Sequence, residues 1–293
     1  MMHRRPGIQA GAIATAVALA ACSGGAPPGP GPASVVAERL SELSGTAEEF
    51  SSLAVGREDL LAHTAEGDEL QIWDLTEGLE FRDTFGGRYP AVPFEQLDAD
   101  AIQAEVEALV AECDVNVRVT VNAVTPSAHV TEMRCGEASF LELVATDPKQ
   151  VHLAGEPLPD GTAVSVEETW EYVLALVARL DPDEVVSRVE IDDEEAYVWM
   201  SGNSATNDCV PSFSFARDGS DLGWACFSNP QGPPIPLGTM EAAELAGIQR
   251  AVMTEAGIDG TDGLEVTVGT SSATGAPALR VQLGPSSAEA PLR

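Results

Sequence analysis

The chain is 293 residues long and carries 47 acidic against 15 basic side chains, a formal net charge of −32, with an ordinary hydrophobic content of 44%. So large an acidic excess removes the phosphate-neutralising surface that nucleic-acid binding needs, and anionic lipid headgroups would be repelled in the same way. The hydrophobic content is sufficient for a core, so one large domain or two packed lobes are expected.

The chain opens with Met1-Met2-His3-Arg4-Arg5 and continues into a run of small and apolar residues from Ala10 to Ala21, broken by Thr15 alone. A basic start followed by a short apolar stretch is the pattern of an export signal. The stretch ends before the roughly 20 apolar residues that a spanning helix needs. Leu19-Ala20-Ala21-Cys22 resembles the lipobox of bacterial lipoproteins. That resemblance, confined to about the first 25 residues, implies that residues 1–21 are a signal peptide removed in export. It also implies a diacylglycerol thioether and a further acyl chain such as palmitate on Cys22, holding the protein at the extracytoplasmic face of the cell membrane. Acyl anchoring on one residue is durable because each buried methylene contributes about 0.8 kcal/mol. Residues 22–33 combine this cysteine with Ala26-Pro27-Pro28-Gly29-Pro30-Gly31-Pro32, a tether that has no core-forming residues and stands in water. Cleavage leaves 13 basic residues against the same 47 acidic ones.

Residues 34–158 read as an N-terminal α+β lobe. Val35 to Leu43 is a short helix, and Leu70 to Trp73 with Leu79 to Phe81 are strands around Thr76-Glu77-Gly78. A longer helix starts near Asp98, with Ile102, Val106, Leu109 and Val110 inward, and arrives at Cys113. Val115, Val117, Val119 and Val121 then alternate with polar residues, the pattern of a strand with one buried face. Thr125-Pro126-Ser127 turns it into a second strand that reaches Cys135, and Phe140, Leu141 and Leu143 suggest a third. Gly155 to Gly161 is the lobe boundary.

Residues 159–285 read as a second α+β lobe, followed by a flexible tail over 286–293. Ser165-Val166-Glu167-Glu168 is a capping box that opens a helix, and Trp170, Val173, Leu174, Val177 and Leu180 recur at helical spacing up to Asp181-Pro182. Strands follow over Val185 to Ile191, Ala196 to Met200, Val210 to Ala216 and Leu222 to Phe227, with a hairpin turn at Asp218-Gly219. Asn229 to Gly238 is a proline-rich crossover. A third helix begins near Thr239, turns Leu245, Ile248 and Val252 inward and stops at Gly257. Alternating strands end the lobe at Leu264 to Val268 and Leu279 to Leu283. The recurring unit, a helix followed by antiparallel strands, begins near residues 98, 165 and 239 and points to α+β architecture with helices on one face of meandering sheets. In outline this is similar to secreted helix-plus-hairpin modules such as PepSY domains and β-lactamase-inhibitor repeats, although no residue motif ties the chain to either.

With Cys22 acylated, Cys113, Cys135, Cys209 and Cys226 remain, and an even number in an exported chain reads as two disulfides. Of the three pairings, Cys113 with Cys135 and Cys209 with Cys226 is favoured because each pair brackets a strand pair. The histidines of the mature chain, His63, His129 and His152, lack paired ligand spacing, and GxSxG, SxxK and phosphate-cradling glycine loops do not occur. His129 could meet a serine and a carboxylate in space. Asp181, Asp183 and Glu184, then Asp192 to Glu195, then Asp259 and Asp262 are acidic turns that could offer calcium hard oxygen ligands, more simply read as solvated. Tyr197, Trp199, Phe213, Phe215, Trp224 and Phe227 gather the aromatics of the second lobe as sheet core or as a binding platform. No cofactor, metal or catalytic residue is expected. The expected function is that of a membrane-anchored, non-catalytic extracytoplasmic lipoprotein that binds or organises an envelope or extracellular protein. An importer's ligand-binding receptor and an envelope hydrolase working through carboxylates are the alternatives.

Overall fold

A computed structural model describes residues 31–87, 89–162, 165–181, 183, 185–202, 209–227 and 232–292. The signal segment, Cys22 and the tether up to residue 30 lie outside the described residues.

The first unit starts with a 3-10 turn, Pro32–Val35, that runs into α1 (Val36–Leu43). Strands β1 (Glu49–Val55), β2 (Leu60–Glu66), β3 (Glu69–Asp74) and β4 (Glu80–Gly86) follow as an antiparallel meander. A two-residue strand, β5 (Val92–Pro93), returns to β1 and leads through a 3-10 turn into α2 (Ala99–Ala111). The unit closes with β6 (Asn116–Thr125), β7 (Ala128–Gly136), β8 (Gln150–Leu153) and β9 (Glu156–Pro157), giving the sheet order β4-β3-β2-β1-β6-β7-β8-β9.

The second unit follows the same plan. It consists of α3 (Val166–Leu180), β10 (Val185–Ile191), β11 (Glu195–Met200), β12 (Val210–Ala216), β13 (Leu222–Phe227), the short β14 (Ile235–Pro236), a 3-10 turn, α4 (Ala242–Ala256), β15 (Glu265–Thr270), β16 (Pro277–Leu283) and β17 (Ser286–Pro291). Its order is β13-β12-β11-β10-β15-β16-β17, with β14 beside β10 as β5 is beside β1. The architecture is therefore α+β, with helices on antiparallel meanders. The repeat is a pair of helix-plus-strands modules, and α1 is the fourth such module beside the three expected.

Each helix starts where its sequence can satisfy the free amides of the first turn. The Asp98 side chain accepts from the Ala101 amide, and Ser165 and Glu168 form a reciprocal capping box. Gly257 ends α4 at φ 70°, a left-handed conformation that glycine adopts without Cβ strain. Val36, Leu40 and Leu43 of α1 join Ile102, Val106 and Leu109 of α2 over the inner face of the first sheet, formed by Phe50, Leu53, Val55, Leu60, Ala62, Val117, Val119 and Val121. In the second unit Trp170, fully buried, donates its indole N–H to the Gln249 side chain at 2.9 Å, pinning α3 to α4 above Val189, Val198, Phe213, Phe215 and Val268.

The two units share apolar contacts. Val124, Val130, Val151 and Leu153 of the first sheet belong to the same buried cluster as α3. The Thr125 hydroxyl donates to the Leu180 carbonyl, and Arg179 donates to the Pro157 carbonyl at 2.6 Å.

Both expected disulfides form, Cys113–Cys135 with Cα atoms 6.0 Å apart and Cys209–Cys226 at 5.0 Å. Cys226 pairs with Pro211 across the Asp218-Gly219 hairpin, so Cys209 is its diagonal neighbour. Two expectations fail. Phe140 to Leu143 is not a strand: the chain turns there into the 3-10 segment Glu142–Ala145, held by the Ser139 amide and hydroxyl bonding Glu142, and the strand comes later as β8. The flexible tail expected over 286–293 is, for Ser286–Pro291, a strand paired along its length with β16. The crossover over Asn229 to Gly238 lies partly outside the described residues, and its Ile235–Pro236 is strand β14.

The bridges close sequence separations of 22 and 17 residues, so each restricts the unfolded chain by about 3 kcal/mol. Replacing Cys113 and Cys135, or Cys209 and Cys226, by serine is expected to lower the unfolding free energy by about that amount in a urea titration. An unchanged midpoint for both double variants would contradict the assignment.

Candidate functional site

The outward face of the second sheet is the most elaborated surface of the described chain. Pleating sends the Phe213–Phe215 pair into the core and the stacked Tyr197–Trp199 pair, ring centroids 5.8 Å apart, to the opposite side. The register lines up two rows across that side. One runs Ala225, Ser212, Trp199, Arg188; the other runs Gly223, Ser214, Tyr197, Glu190, Thr267, Arg280, Glu289. The aromatics therefore have serines on one side and Arg188 and Glu190 on the other, and are half-buried rather than covered. A Cβ at Gly223 would come within 2.6 Å of the Ser214 hydroxyl, which would have to turn away to admit it.

The polar groups of this face are partnered to one another. The Arg188 guanidinium lies 5.4 Å from the Trp199 ring and pairs with Glu190. The Tyr197 hydroxyl donates to the Glu195 carboxylate, and that bond, with burial, raises the phenol above its ordinary value, leaving it a donor. Next to Arg188 a hollow of about 400 Å³ is lined by Glu190, Glu265, Thr267, Ser271, Arg280 and Glu289. The face thus carries a stacked aromatic pair and, on the far side of Arg188 and Glu190, a charged hollow.

The histidines occupy two other places. Glu105, on the flank of α2 beside Val106, receives His129 at 2.9 Å from β7 and His152 at 3.0 Å from β8, one imidazole on each carboxylate oxygen. Burial alone would raise this carboxyl. The two hydrogen bonds and the His129 charge outweigh it and bring the pKa down to about 2. In the sequence His129 and His152 show no paired spacing and Glu105 does not stand out among the acidic residues, because only the docking of α2 on β7 and β8 joins the three.

His63 instead meets Ser52 at 2.7 Å across the β1–β2 pair. Burial, then the Arg118 charge, pushes its pKa down to about 4, so the imidazole is neutral and weakly basic. Among the described residues the components of a nucleophilic triad are thus divided: His129 has a carboxylate and no serine, and His63 has a serine and no carboxylate. The buried carboxylates Asp74 and Asp181 lie in different units and do not form an acid–base pair.

The acidic turns hold backbone. Asp181 accepts from the Asp183 amide, Asp192 from the amides of Glu194 and Glu195, and Asp193 from the Gly263 amide at 2.5 Å. Glu184 lies outside the described residues, among which no group of three or more His, Cys, Asp or Glu is placed to hold a metal ion. Of the expected site residues, Cys113, Cys135, Cys209 and Cys226 are in their bridges, and Cys22 lies outside the described residues.

No protein-family model matches the chain, and no curated protein matches it. Among solved structures, a DNA polymerase sliding clamp from Pseudomonas aeruginosa is 12% identical over 91% of this chain and 68% of its own, with a TM-score of 0.19. DNA polymerase III subunit beta from Borrelia burgdorferi is 8% identical over 89% of this chain and 60% of its own, with a TM-score of 0.18. A likeness this slight assigns neither fold, activity nor partner.

The Glu105 cluster has a defined acid sensitivity. A carboxyl depressed from 4.5 to about 2 contributes stability that is complete above its unfolded value and is lost as pH falls through that interval. Glu105→Gln is expected to destabilise the protein by about 1–3 kcal/mol at pH 7. The gap from the parent should close between pH 4.5 and about 2 in denaturant titrations. A gap independent of pH would contradict the pairing.

Proposed function

We propose that the chain is a membrane-anchored extracytoplasmic lipoprotein, non-catalytic, that binds another envelope or extracellular protein through the outward face of its second sheet. The observation that carries this reading is the Tyr197–Trp199–Arg188 stack set among Gly223, Ala225, Ser212 and Ser214 on a sheet face left half-open. Tyr, Trp and Arg supply most binding energy at protein interfaces, because large rigid side chains bury much area at little entropic cost.

Two supports are independent of that face. The disulfides belong to an oxidising environment outside the cytoplasm. The lipobox resemblance at Cys22 supplies the anchor, which the acidic surface could not provide through headgroup attraction. The same charge disfavours nucleic acid and favours a partner with a basic surface.

Crosslinking in intact cells tests the reading. The native chain is expected to capture a defined protein partner, and Cys22→Ala to lose both membrane association and capture. Trp199→Ala with Arg188→Ala should weaken capture about thirtyfold, the effect of losing about 2 kcal/mol at an interface hot spot. Full capture by the double variant, or a small molecule co-purifying with the chain, would overturn it.

A further inference from the structure

The edge strand β4 carries a second surface, on the other unit and independent of the face above. Among the described residues it pairs with β3 alone, and none of its residues is buried. Phe81 is 52% exposed, Phe85 41%, and Leu79 at the strand entry 38%, which places three of the five exposed large hydrophobics of the described chain along one free edge. Free edges offer unpaired amides and carbonyls to any extended segment, and proteins commonly guard them with lysine, proline or covering loops. Strand β4 has neither lysine nor proline. Its one irregularity, at Arg82, leaves Asp83–Gly86 as a regular stretch.

The equivalent edge of the second unit is treated differently. Strand β13 is tied to its neighbour by Cys209–Cys226 and exposes no large hydrophobic residue. Strand β17, the other edge there, is built from Ser, Ala, Glu and Pro.

Charge selects the occupant. Glu66, Glu69, Glu77, Glu80 and Asp83 are exposed around β4, while the Arg82 guanidinium is held by Asp74 and Glu80. A second copy would bring the same carboxylates face to face, in a chain of net charge −32. We propose that β4 is a docking edge for an extended segment of a basic partner, in which apolar and cationic residues alternate. The segment adds a strand to the sheet; because Phe85 shares a face with Leu70 and Phe81 the opposite face with Trp73, its apolar side chains seat on Phe85 and its lysines or arginines alternate to the other face, over the Phe81 ring and towards Glu66 and Glu69.

The probes are synthetic peptides about ten residues long, one alternating valine with lysine and one alternating valine with glutamate, added to the full chain. Residue-resolved hydrogen exchange is expected to show the valine–lysine peptide slowing the Asp83–Gly86 amides about tenfold or more. At low salt this peptide should bind about tenfold more tightly than the valine–glutamate one, and the difference should shrink as salt is added. Phe81→Ala with Phe85→Ala, both exposed positions, should weaken binding about tenfold with the circular dichroism of the parent; Asp83→Lys should reduce the preference for the basic peptide. Equal binding of the two peptides, protection at another edge, or concentration-dependent self-association protecting these same amides would overturn the proposal.

Discussion

Each sheet has one apolar face that water cannot be left to wet, and the need to roof that face with a pair of helices organises everything else. In the first unit α1 and α2 close over Phe50, Leu53, Val119 and Val121; in the second α3 and α4 close over Val189, Val198, Phe213 and Phe215. Burying a side chain of this size contributes about 1.5–3 kcal/mol, so a helix that left its sheet would expose several such contributions at once. The strand order follows from this arrangement. Both units put their first strand at the centre, with a meander on one side and the strands after the second helix on the other.

Because the helices take one face of each sheet, the other faces are free to differ. In the first unit the β6–β8 end is drawn into the cluster around α3, which joins the units. In the second the outward face stays open and acquires the aromatic stack, the serine and glycine rows and the charged hollow at Arg188 and Arg280. The same divergence appears at the edges, where β13 is cross-linked and β4 is bare, with Phe81 and Phe85 exposed among its charges. Two copies of one plan thus present unlike surfaces.

Features set by neighbours in the chain were legible in advance: the Ser165 capping box, the Asp98 cap, the Gly257 stop, the valine alternation of β6, the Asp218-Gly219 hairpin and, through that hairpin, the Cys209–Cys226 bridge. Strands β1 and β2 were not, because β1 is buried on both faces and Ser51 and Ser52 break any period-2 pattern. The Ser51 hydroxyl donates to the Pro90 carbonyl and Ser52 meets His63, contacts 39 and 11 residues away. Gln249 reads as a surface residue on a helix, yet it is buried because Trp170 supplies its partner from another helix. The Glu105–His129–His152 cluster was hidden for the same reason. The strand at Ser286–Pro291 escaped because its Ser, Ala and Glu give no apolar alternation, and its order comes from pairing with β16.

Native-state hydrogen exchange tests the helix-roofed plan most directly. Amides of β1, β6, β10 and β15, central in their sheets beneath the helix pairs, are predicted to exchange slowest, about a thousandfold more slowly than those of β4. Protection of β4 equal to that of β1 or β10, or central strands exchanging as fast as the turns, would contradict the account.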